Sequence, residues 1–379
     1  MTIRPRVAAV LVVSTLIWAG MTSCSSDGGR PDTGALPAHR ELKRVAYAAP
    51  NMTTQIYAGQ ADNFVKAGRR IGVEVKVYDN SADAATAITN ANLMVAQKPD
   101  LLVEFAPVAD ATSRISAIFK RSGIPCIAVN VRIEGCAFFN FDQKYLARAQ
   151  AEVIAAKMKA KGWDGTNTTV VIEQASKLGP SVNIAVTWFY QELVSMVPGF
   201  ETITSDQITA ATTTIAEGQG LQVDGGTDID SGFSATSQAL QTIPADRNVV
   251  VYTVNDDTTV GALRALTTAR RDGRAMVAGY GATKPAIDAM RSGAPWVSSA
   301  KGFWEEWGQF LLAMGTALLR GVEPPDLTAP PMIAVTPENM DSVYAPGMTK
   351  VTRMPALPES SKYLLETGIL QKFGNVEGA

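Results

Sequence analysis

The sequence predicts an α/β protein with two Rossmann-like lobes, each built around a parallel sheet. Two observations support this prediction. Strand and helix patterns alternate from residue 44 onward, and they do so in two successive series. Alternation of this kind indicates mostly parallel sheets covered by helices on both faces. The chain that follows Cys24 is also long for one compact core and suits two lobes.

The first series begins with a short apolar strand and ends with a long helix. Its predicted strands are 44–49, 73–78, 101–105, 124–130 and 138–141. Its predicted helices are 55–70, 84–96, 111–120 and 143–159, where apolar residues recur at helical spacing. Polar residues stand at the ends of the second and fourth strands.

The second series repeats this plan. Its predicted strands are 169–173, 221–224, 248–254, 274–279, 296–300 and 331–335. Its predicted helices are 181–196, 234–241, 285–291 and 304–319, and a further helix follows the strand at 248–254. Residues 201–220 are rich in Thr and Ala and have little periodicity, so we interpret them as an insertion or as a segment whose structure the pattern does not determine. Residues 341–379 show weak periodicity and are interpreted as a C-terminal extension.

The N-terminus predicts a secretory signal peptide over residues 1–23. Basic residues precede an apolar run that is too short for a comfortable membrane-spanning helix, and small residues follow it. Thr22-Ser23-Cys24 resembles a bacterial lipobox, although Met21 stands where leucine is usual. This resemblance implies a lipidated Cys24 and a flexible tether over residues 24–42. Secretion without a lipid and an uncleaved anchor are the alternatives.

The composition argues against several classes of protein. A net charge of −2 gives no case for nucleic acid as the main partner. The single histidine, His39, lies in the tether, which leaves no histidine for a catalytic triad or a metal site in the body of the protein. The sequence has no Gly-x-Ser-x-Gly elbow and no Walker motif. We therefore expect no enzyme activity, no metal and no cofactor.

Two cysteines, Cys126 and Cys136, flank two predicted strands. A secreted protein folds in an oxidising compartment, where disulfides persist. The sequence is compatible both with a Cys126–Cys136 disulfide and with a pair of buried thiols.

The stretch 254–266 has the most informative sequence. The β-branched run Val249–Thr253 predicts a buried parallel strand, and the apolar spacing after it predicts a helix. Asp256 or Asp257 is the expected N-cap of that helix. Asn255 then lies at the carboxyl edge of the sheet, where α/β proteins bind ligands. The alternative is a polar strand end that only caps the helix.

This strand–Asn-Asp–helix stretch resembles the signature of sugar-type periplasmic binding proteins, the ribose-binding protein family, down to Gly-Ala-Leu-Arg-Ala-Leu. The resemblance covers about residues 43–340 and implies the type I periplasmic binding protein fold, in which a three-segment hinge joins two lobes. The chain would cross between the lobes near residues 142, 302 and 329. The N-terminal lobe would comprise 43–142 and 303–328, and the C-terminal lobe 143–302 and 329–340.

The resemblance also implies a ligand in the cleft between the lobes, held by polar groups at strand ends and by aromatic side chains. The candidate ligand-binding residues are Tyr57, Asn130, Arg132, Asn183, Asp228, Asn255 and Lys301. Asn130-Val131-Arg132 stands where the family usually has Asp-Arg, so its arginine is displaced by one residue. Alternatives remain for several candidates: Tyr57 in the core, Asn183 and Asp228 as helix caps, and Lys301 on the surface.

Two departures from the family pattern change the charge of the predicted cleft. Gly279-Tyr280-Gly281 stands where the family has Gly-Phe-Asp, and Lys301 stands where it often has Gln. Compared with the family pattern, the cleft loses a carboxylate and gains a lysine. A buried lysine needs a partner or loses its charge. We therefore expect either an anionic or acceptor-rich ligand group near Lys301, or an internal partner such as Asp228.

The resemblance implies a monomeric, lipid-anchored receptor outside the cell membrane. It would capture a small polar solute, such as a sugar, polyol or sugar acid, and deliver it to the permease of an ABC importer. Hinge closure around the ligand would signal occupancy. The alternative is a receptor of the same fold that signals to a histidine kinase or chemoreceptor. A repressor is disfavoured because residues 1–40 cannot supply a DNA-binding helix pair.

Overall fold

The computed structural model describes residues 40–106, 109–176, 180–345 and 351–379. The predicted signal peptide, Cys24 and His39 lie outside these residues. Residues Arg40–Ala379 form one compact unit that contains two separate sheets. In the part of the chain so described, no helix is both long enough and apolar enough to cross a membrane.

Sheet one has five strands in the order β2-β1-β3-β4-β5, and all its pairings are parallel. Its strands are β1 Arg44–Ala49, β2 Glu74–Asp79, β3 Leu101–Glu104, β4 Cys126–Val129 and β5 Ala137–Phe139. The helices that connect and follow these strands are α1 Gln55–Ile71, α2 Ala84–Ala96, α3 Thr112–Ser122 and α4 Gln143–Lys161. The central strands β1, β3 and β4 are almost fully buried, as expected for a sheet with helices on both faces.

Sheet two has seven strands in the order β12-β11-β10-β9-β6-β8-β7. Its strands are β6 Thr168–Gln174, β7 Thr214–Ile215, β8 Gly220–Asp224, β9 Asn248–Thr253, β10 Ala275–Tyr280, β11 Trp296–Lys301 and β12 Ile333–Val335. The helices of the second half are α5 Pro180–Met196, α6 Ile229–Thr242, α7 Asp256–Thr268, α8 Lys284–Arg291, α9 Trp307–Leu319 and α10 Met340–Val343. The edge strands β7 and β12 are antiparallel to their neighbours, and the five strands between them are parallel.

The chain returns to sheet one after β11. Helix α9 packs against α1, and a side chain at Gly308 would lie 2.7 Å from the Cα of Phe64. Strand β12 then pairs with β11 in sheet two. Gly302 lies at the turn between β11 and α9, where an added Cβ would lie 1.9 Å from the ring of Phe141. Gly302 is therefore required where the chain passes from β11 to α9. The residue ranges expected for the two lobes remain a prediction.

Residues 201–220 are not a featureless insertion. They include β7 and the first residue of β8, and Ile208 and Ile215 are buried. Gln222 of β8 holds the segment through hydrogen bonds from its Nε2 to the carbonyl oxygens of Thr209 and Thr212, both at 2.8 Å. The sequence does not reveal β7, because a two-residue strand is too short to produce a recognisable alternation of apolar residues. The interpretation of 201–220 as an insertion stays a prediction.

The residues after 351 form part of the protein core. Met354, Leu364 and Leu370 are fully buried and join the same apolar cluster as α9. The longest element of this segment is a 3₁₀ helix over Glu359–Thr367. A 3₁₀ helix has three residues per turn, so a search for a period of 3.6 finds only weak periodicity in it.

Candidate functional site

The carboxyl edges of both sheets approach each other at an aromatic cluster, which we define as Phe141, Tyr280 and Trp304. Phe141 follows β5 of sheet one, Tyr280 ends β10 of sheet two, and Trp304 lies beyond β11. The ring centroid of Phe141 is 5.2 Å from that of Tyr280 and 4.4 Å from that of Trp304, with edge-on geometry. The rings of Tyr280 and Trp304 are half-buried. In parallel sheets the carboxyl edge is where ligands bind, so this junction is the candidate site.

The helical spacing of Phe303, Trp304 and Trp307 predicts core packing for Trp304, and Tyr280 stands out in the sequence only as a departure from the family pattern. The sequence feature that could have revealed the cluster is the position of three aromatic residues at or just beyond the ends of three different strands. The hydroxyl of Tyr280 is buried and has no hydrogen-bond partner among the described residues. Burial raises its pKa well above the ordinary tyrosine value, so the hydroxyl stays protonated and can donate.

Asn255 caps α7. Its Oδ1 accepts a hydrogen bond from the Thr258 N–H at 2.8 Å, and its Nδ2 donates to the Thr227 carbonyl at 3.0 Å. The expected N-cap, Asp256 or Asp257, was therefore wrong by one or two residues, because the backbone of Asn255 is still extended and Asp256 is already the first helical residue. The half-buried Asn255 amide keeps a second N–H and a second lone pair.

Asp256 lies inside the first turn of α7 and is buried. Its Oδ1 accepts from the Ser299 hydroxyl at 2.6 Å, and its Oδ2 accepts from the Thr283 N–H at 2.7 Å. The pKa of this carboxyl is raised overall, because burial raises it by more than these hydrogen bonds and the charge of Lys301 lower it. Asp256 thus ties α7 to the ends of β10 and β11.

Lys301 has an internal acid as its partner. Its side chain is 9% exposed, and its Nζ lies 2.9 Å and 3.1 Å from the two carboxylate oxygens of Glu305. The suggested partner, Asp228, instead caps α6, where its Oδ1 accepts from the Ser231 N–H at 2.9 Å. The pKa of Asp228 is lowered, chiefly by that bond.

Asn130 and Arg132 follow β4 in sheet one. Asn130 has φ +64°, a left-handed conformation that asparagine tolerates better than most residues. Its half-buried side-chain amide has no partner among the described residues. The guanidinium of the exposed Arg132 lies 4.2 Å from the centre of the Phe138 ring. Arg132 borders a cavity of about 470 Å³, which is lined by the start of α3, the loop between β4 and β5, and Phe138 of β5.

Tyr57 and Asn183 have different environments. The half-buried Tyr57 ring packs edge-on against Phe105, with ring centroids 5.4 Å apart, just beyond the end of β3. The Asn183 side chain is buried on α5 and bonds both backbone groups of Ala175: its Oδ1 accepts from the N–H at 2.8 Å and its Nδ2 donates to the carbonyl at 3.1 Å. Asn183 therefore fixes the end of β6.

Two buried glutamates, Glu104 and Glu173, were not anticipated from the sequence. Glu104 ends β3, and its Oε1 accepts from Asn80 Nδ2 at 2.8 Å. Glu173 lies near the end of β6 and is bonded to the Thr236 hydroxyl. In each, the second carboxyl oxygen has no partner among the described residues, and burial raises the pKa of each carboxyl to about 8. The sequence feature that could have indicated these buried glutamates is a single acidic residue within an otherwise apolar strand.

The Sγ atoms of Cys126 and Cys136 are 1.99 Å apart, so these cysteines form a disulfide in the structure. It joins the start of β4 to the residue before β5. Within residues 40–106, 109–176, 180–345 and 351–379, no group of three or more acidic, histidine or cysteine side chains is arranged to hold a metal ion.

Comparison with known proteins identifies the family. The family model described as "Periplasmic binding protein domain" matches residues 45–323, well over half of the chain, and the protein belongs to this family. The family prediction and the predicted type I periplasmic binding protein fold are thereby confirmed. The family is extracytoplasmic, and its members are solute-binding transport proteins. A search of curated protein sequences gave no match.

Solved structures of similar fold share little sequence with the chain. A periplasmic ribose ABC transporter protein from Conexibacter woesei is 19% identical, with a TM-score of 0.64, over 79% of this chain and 93% of its own. A solute-binding protein from Clostridium phytofermentans with bound β-D-glucose is 18% identical, with a TM-score of 0.62, over 82% and 98%. A Mycobacterium smegmatis protein in complex with β-D-fucofuranose is 16% identical, with a TM-score of 0.59, over 86% and 97%.

Proposed function

We propose that the protein is an extracytoplasmic solute receptor that captures a small sugar-like molecule between its two sheets and delivers it, unaltered, to the permease of an ABC importer. The main support is the aromatic cluster of Phe141, Tyr280 and Trp304, which lies where the carboxyl edges of both sheets meet. Sugar rings stack on aromatic side chains of this kind. Asn130 on one sheet and Asn255 on the other supply amides that can bind hydroxyl groups.

Further support comes from similar structures of ABC transporter solute-binding proteins, which have myo-inositol, D-allose or β-D-glucose bound. The proposed ligand set is Tyr57, Asn130 and Asn255 with the aromatic cluster. Arg132, Asn183, Asp228 and Lys301 are assigned a supporting role, because each already has an internal contact.

A thermal-shift screen over neutral sugars, polyols, sugar acids and nucleosides tests this proposal. A ligand at about 100 times its Kd stabilises the folded state by about 2.7 kcal/mol, which gives a clear rise in Tm. Calorimetry on each hit, followed by recovery of the solute, then tests whether binding leaves it unaltered. Chemical turnover of the solute would contradict the proposal.

We further propose that a lipid on Cys24 anchors the receptor to the outer face of the membrane. Expression of the full chain with Cys24 and with a Cys24→Ala substitution tests this. The unchanged protein should fractionate with the membrane and incorporate a labelled fatty acid. The variant should lose the label, and equal labelling of both proteins would contradict the proposal.

A further inference from the structure

A second cavity lies between α1, the start of α9 and residues near the C-terminus. Its volume of about 460 Å³ is within the range of small-molecule sites. Its lining includes Arg70 of α1, Glu306 and Gln309 at the start of α9, and the rings of Tyr344 and Phe373. The three rings of the aromatic cluster are not part of the lining in the described chain. The family match ends at residue 323, so both of the rings in this cavity come from a segment beyond it.

Hydrogen-bond acceptors that lack a donor are gathered around Glu306. Gln309 Nε2 and Asn375 Nδ2 both donate to Glu306 Oε2, at 2.8 Å and 3.1 Å. The carbonyl oxygen of each of these two amides is buried and has no partner among the described residues. Gln309 is only 1% exposed, so leaving its oxygen without a donor is unfavourable. A ligand group with several N–H bonds would satisfy these acceptors.

Charged side chains of both signs line the same cavity. The guanidinium of Arg70 lies 5.2 Å from the centre of the Phe373 ring. Burial raises the pKa of Glu306, and the charge of Arg70 acts in the opposite direction. Lys66 and Glu305 also line the cavity, but each already has an ion-pair partner. Arg70 and Glu306 are therefore the base and the acid that a ligand can use.

We propose that this cavity binds a small zwitterion of the α-amino-acid class. The ammonium group would donate its three N–H bonds to the acceptors of Glu306, Gln309 and Asn375. The carboxylate would bind the guanidinium of Arg70 through two parallel hydrogen bonds. An apolar side chain on the amino acid would contact the aromatic walls of the cavity. This inference goes beyond the proposed function, because the cavity is separate from the aromatic cluster between the sheets.

Calorimetric titration of the protein with L-leucine and L-phenylalanine tests the inference. At least one of them should bind with a Kd of about 1 mM or tighter. The matched analogues 4-methylpentanoate and 3-phenylpropanoate lack the ammonium group, and 3-methylbutylamine and 2-phenylethylamine lack the carboxylate. Each analogue should bind at least about tenfold more weakly than its parent amino acid. Absence of binding by both amino acids, or equal binding of a parent and an analogue, would overturn the inference.

Two substitutions test whether the amino acid binds in this cavity. Arg70→Gln and Glu306→Gln should each weaken its binding at least about tenfold. Arg70 is exposed, so its substitution should leave folding intact, and circular dichroism checks both variants. The control is Arg69→Gln, at the neighbouring exposed position of α1 outside the cavity lining, which should leave the binding unchanged.

The same variants separate this inference from the proposed function. Both should bind the solute identified by the thermal-shift screen as tightly as the unchanged protein does. If both variants also bind the amino acid undiminished, it occupies another site and the inference is wrong, while the proposed function stands or falls on the solute alone.

Discussion

Asn255 combines a structural role with a free hydrogen-bonding direction. It is the N-cap of α7 and is tied to the Thr227 carbonyl, but its amide still has one N–H available. The sequence led us to expect either a capping or a ligand-binding role. The structure establishes the capping role and leaves the ligand role as a proposal.

Asn255→Ala should lower the free energy of unfolding by about 1 kcal/mol, because it removes the oxygen that caps α7. Asn255→Ser keeps a capping oxygen and should recover most of this loss. Urea unfolding followed by circular dichroism measures both. Equal stability of Asn255→Ala and the unchanged protein would show that the cap contributes nothing.

The buried glutamates predict a pH dependence of stability. Their folded-state pKa of about 8 lies above the ordinary value of 4.5, so the folded state retains protons that the unfolded state releases. The stabilisation is fully present below about pH 4.5, falls as the pH rises, and is lost above about pH 8. Each group contributes on the order of a few kcal/mol to this fall.

Glu104→Gln and Glu173→Gln should flatten this decline, since glutamine keeps an accepting oxygen and does not ionise. Unfolding free energies between about pH 5 and about pH 9 measure the slope. The control is Glu74→Gln at an exposed position of β2, which should leave the slope unchanged. An unchanged slope in both buried variants would contradict the account.

The polar partners of the candidate side chains could not be predicted from the sequence. Spacing placed Asn255 and Lys301 at strand ends, because a buried strand followed by polar residues is a strong local pattern. The Lys301–Glu305 and Asn183–Ala175 contacts depend on how the loops fold back. Lys301 and Glu305 are four residues apart, but they meet only because the chain turns sharply after β11, where Phe303 has a left-handed backbone conformation.

Among the elements, β4 and β5 gain stability from the disulfide between Cys126 and Cys136. It closes a loop with a sequence separation of 10, for which chain entropy predicts a contribution of about 3 kcal/mol. The double substitution Cys126→Ala and Cys136→Ala should lower the free energy of unfolding by this amount. A reducing agent should destabilise the unchanged protein similarly and leave the double variant unaffected. An effect of the reducing agent on both would contradict this origin.

The segment after residue 351 should behave as part of the core rather than as an appendage. Leu364 is fully buried against the cluster that contains α9, so Leu364→Ala should cost about 2–5 kcal/mol. Val322→Ala, at a 37% exposed position, is the control and should cost less than about 0.5 kcal/mol. Thermal unfolding compares the two. Equal Tm values for the two variants would contradict a role of Leu364 in the core.

Long elements were predictable from the sequence, and short or irregular ones were not. The strands around Val249–Thr253 and helices such as α4 carry enough apolar periodicity to be placed within a few residues. The two-residue strand β7 and the 3₁₀ helix at Glu359–Thr367 lack such a pattern and depend on tertiary packing. Residues 201–220 and 341–379 were interpreted as an insertion and an extension because their sequences lack apolar periodicity.

At the scale of the whole molecule, the two sheets are linked by passages that periodicity cannot reveal. Helix α9 packs on α1 of sheet one, although it follows β11 of sheet two, and the next strand returns to sheet two. Only the resemblance to a known family predicted this interleaving. The junction at Phe141, Tyr280 and Trp304 results from it, since its rings come from three distant parts of the chain.

The central claim is that one solute is held by both sheets at once. Calorimetric titration of the solute identified by screening, against Asn130→Ala on sheet one and Asn255→Ser on sheet two, tests it most directly. Each substitution removes one amide while leaving the other sheet intact, and each should weaken binding by roughly five- to tenfold. If either variant binds the solute as tightly as the unchanged protein, the solute does not bridge the sheets in the way proposed here.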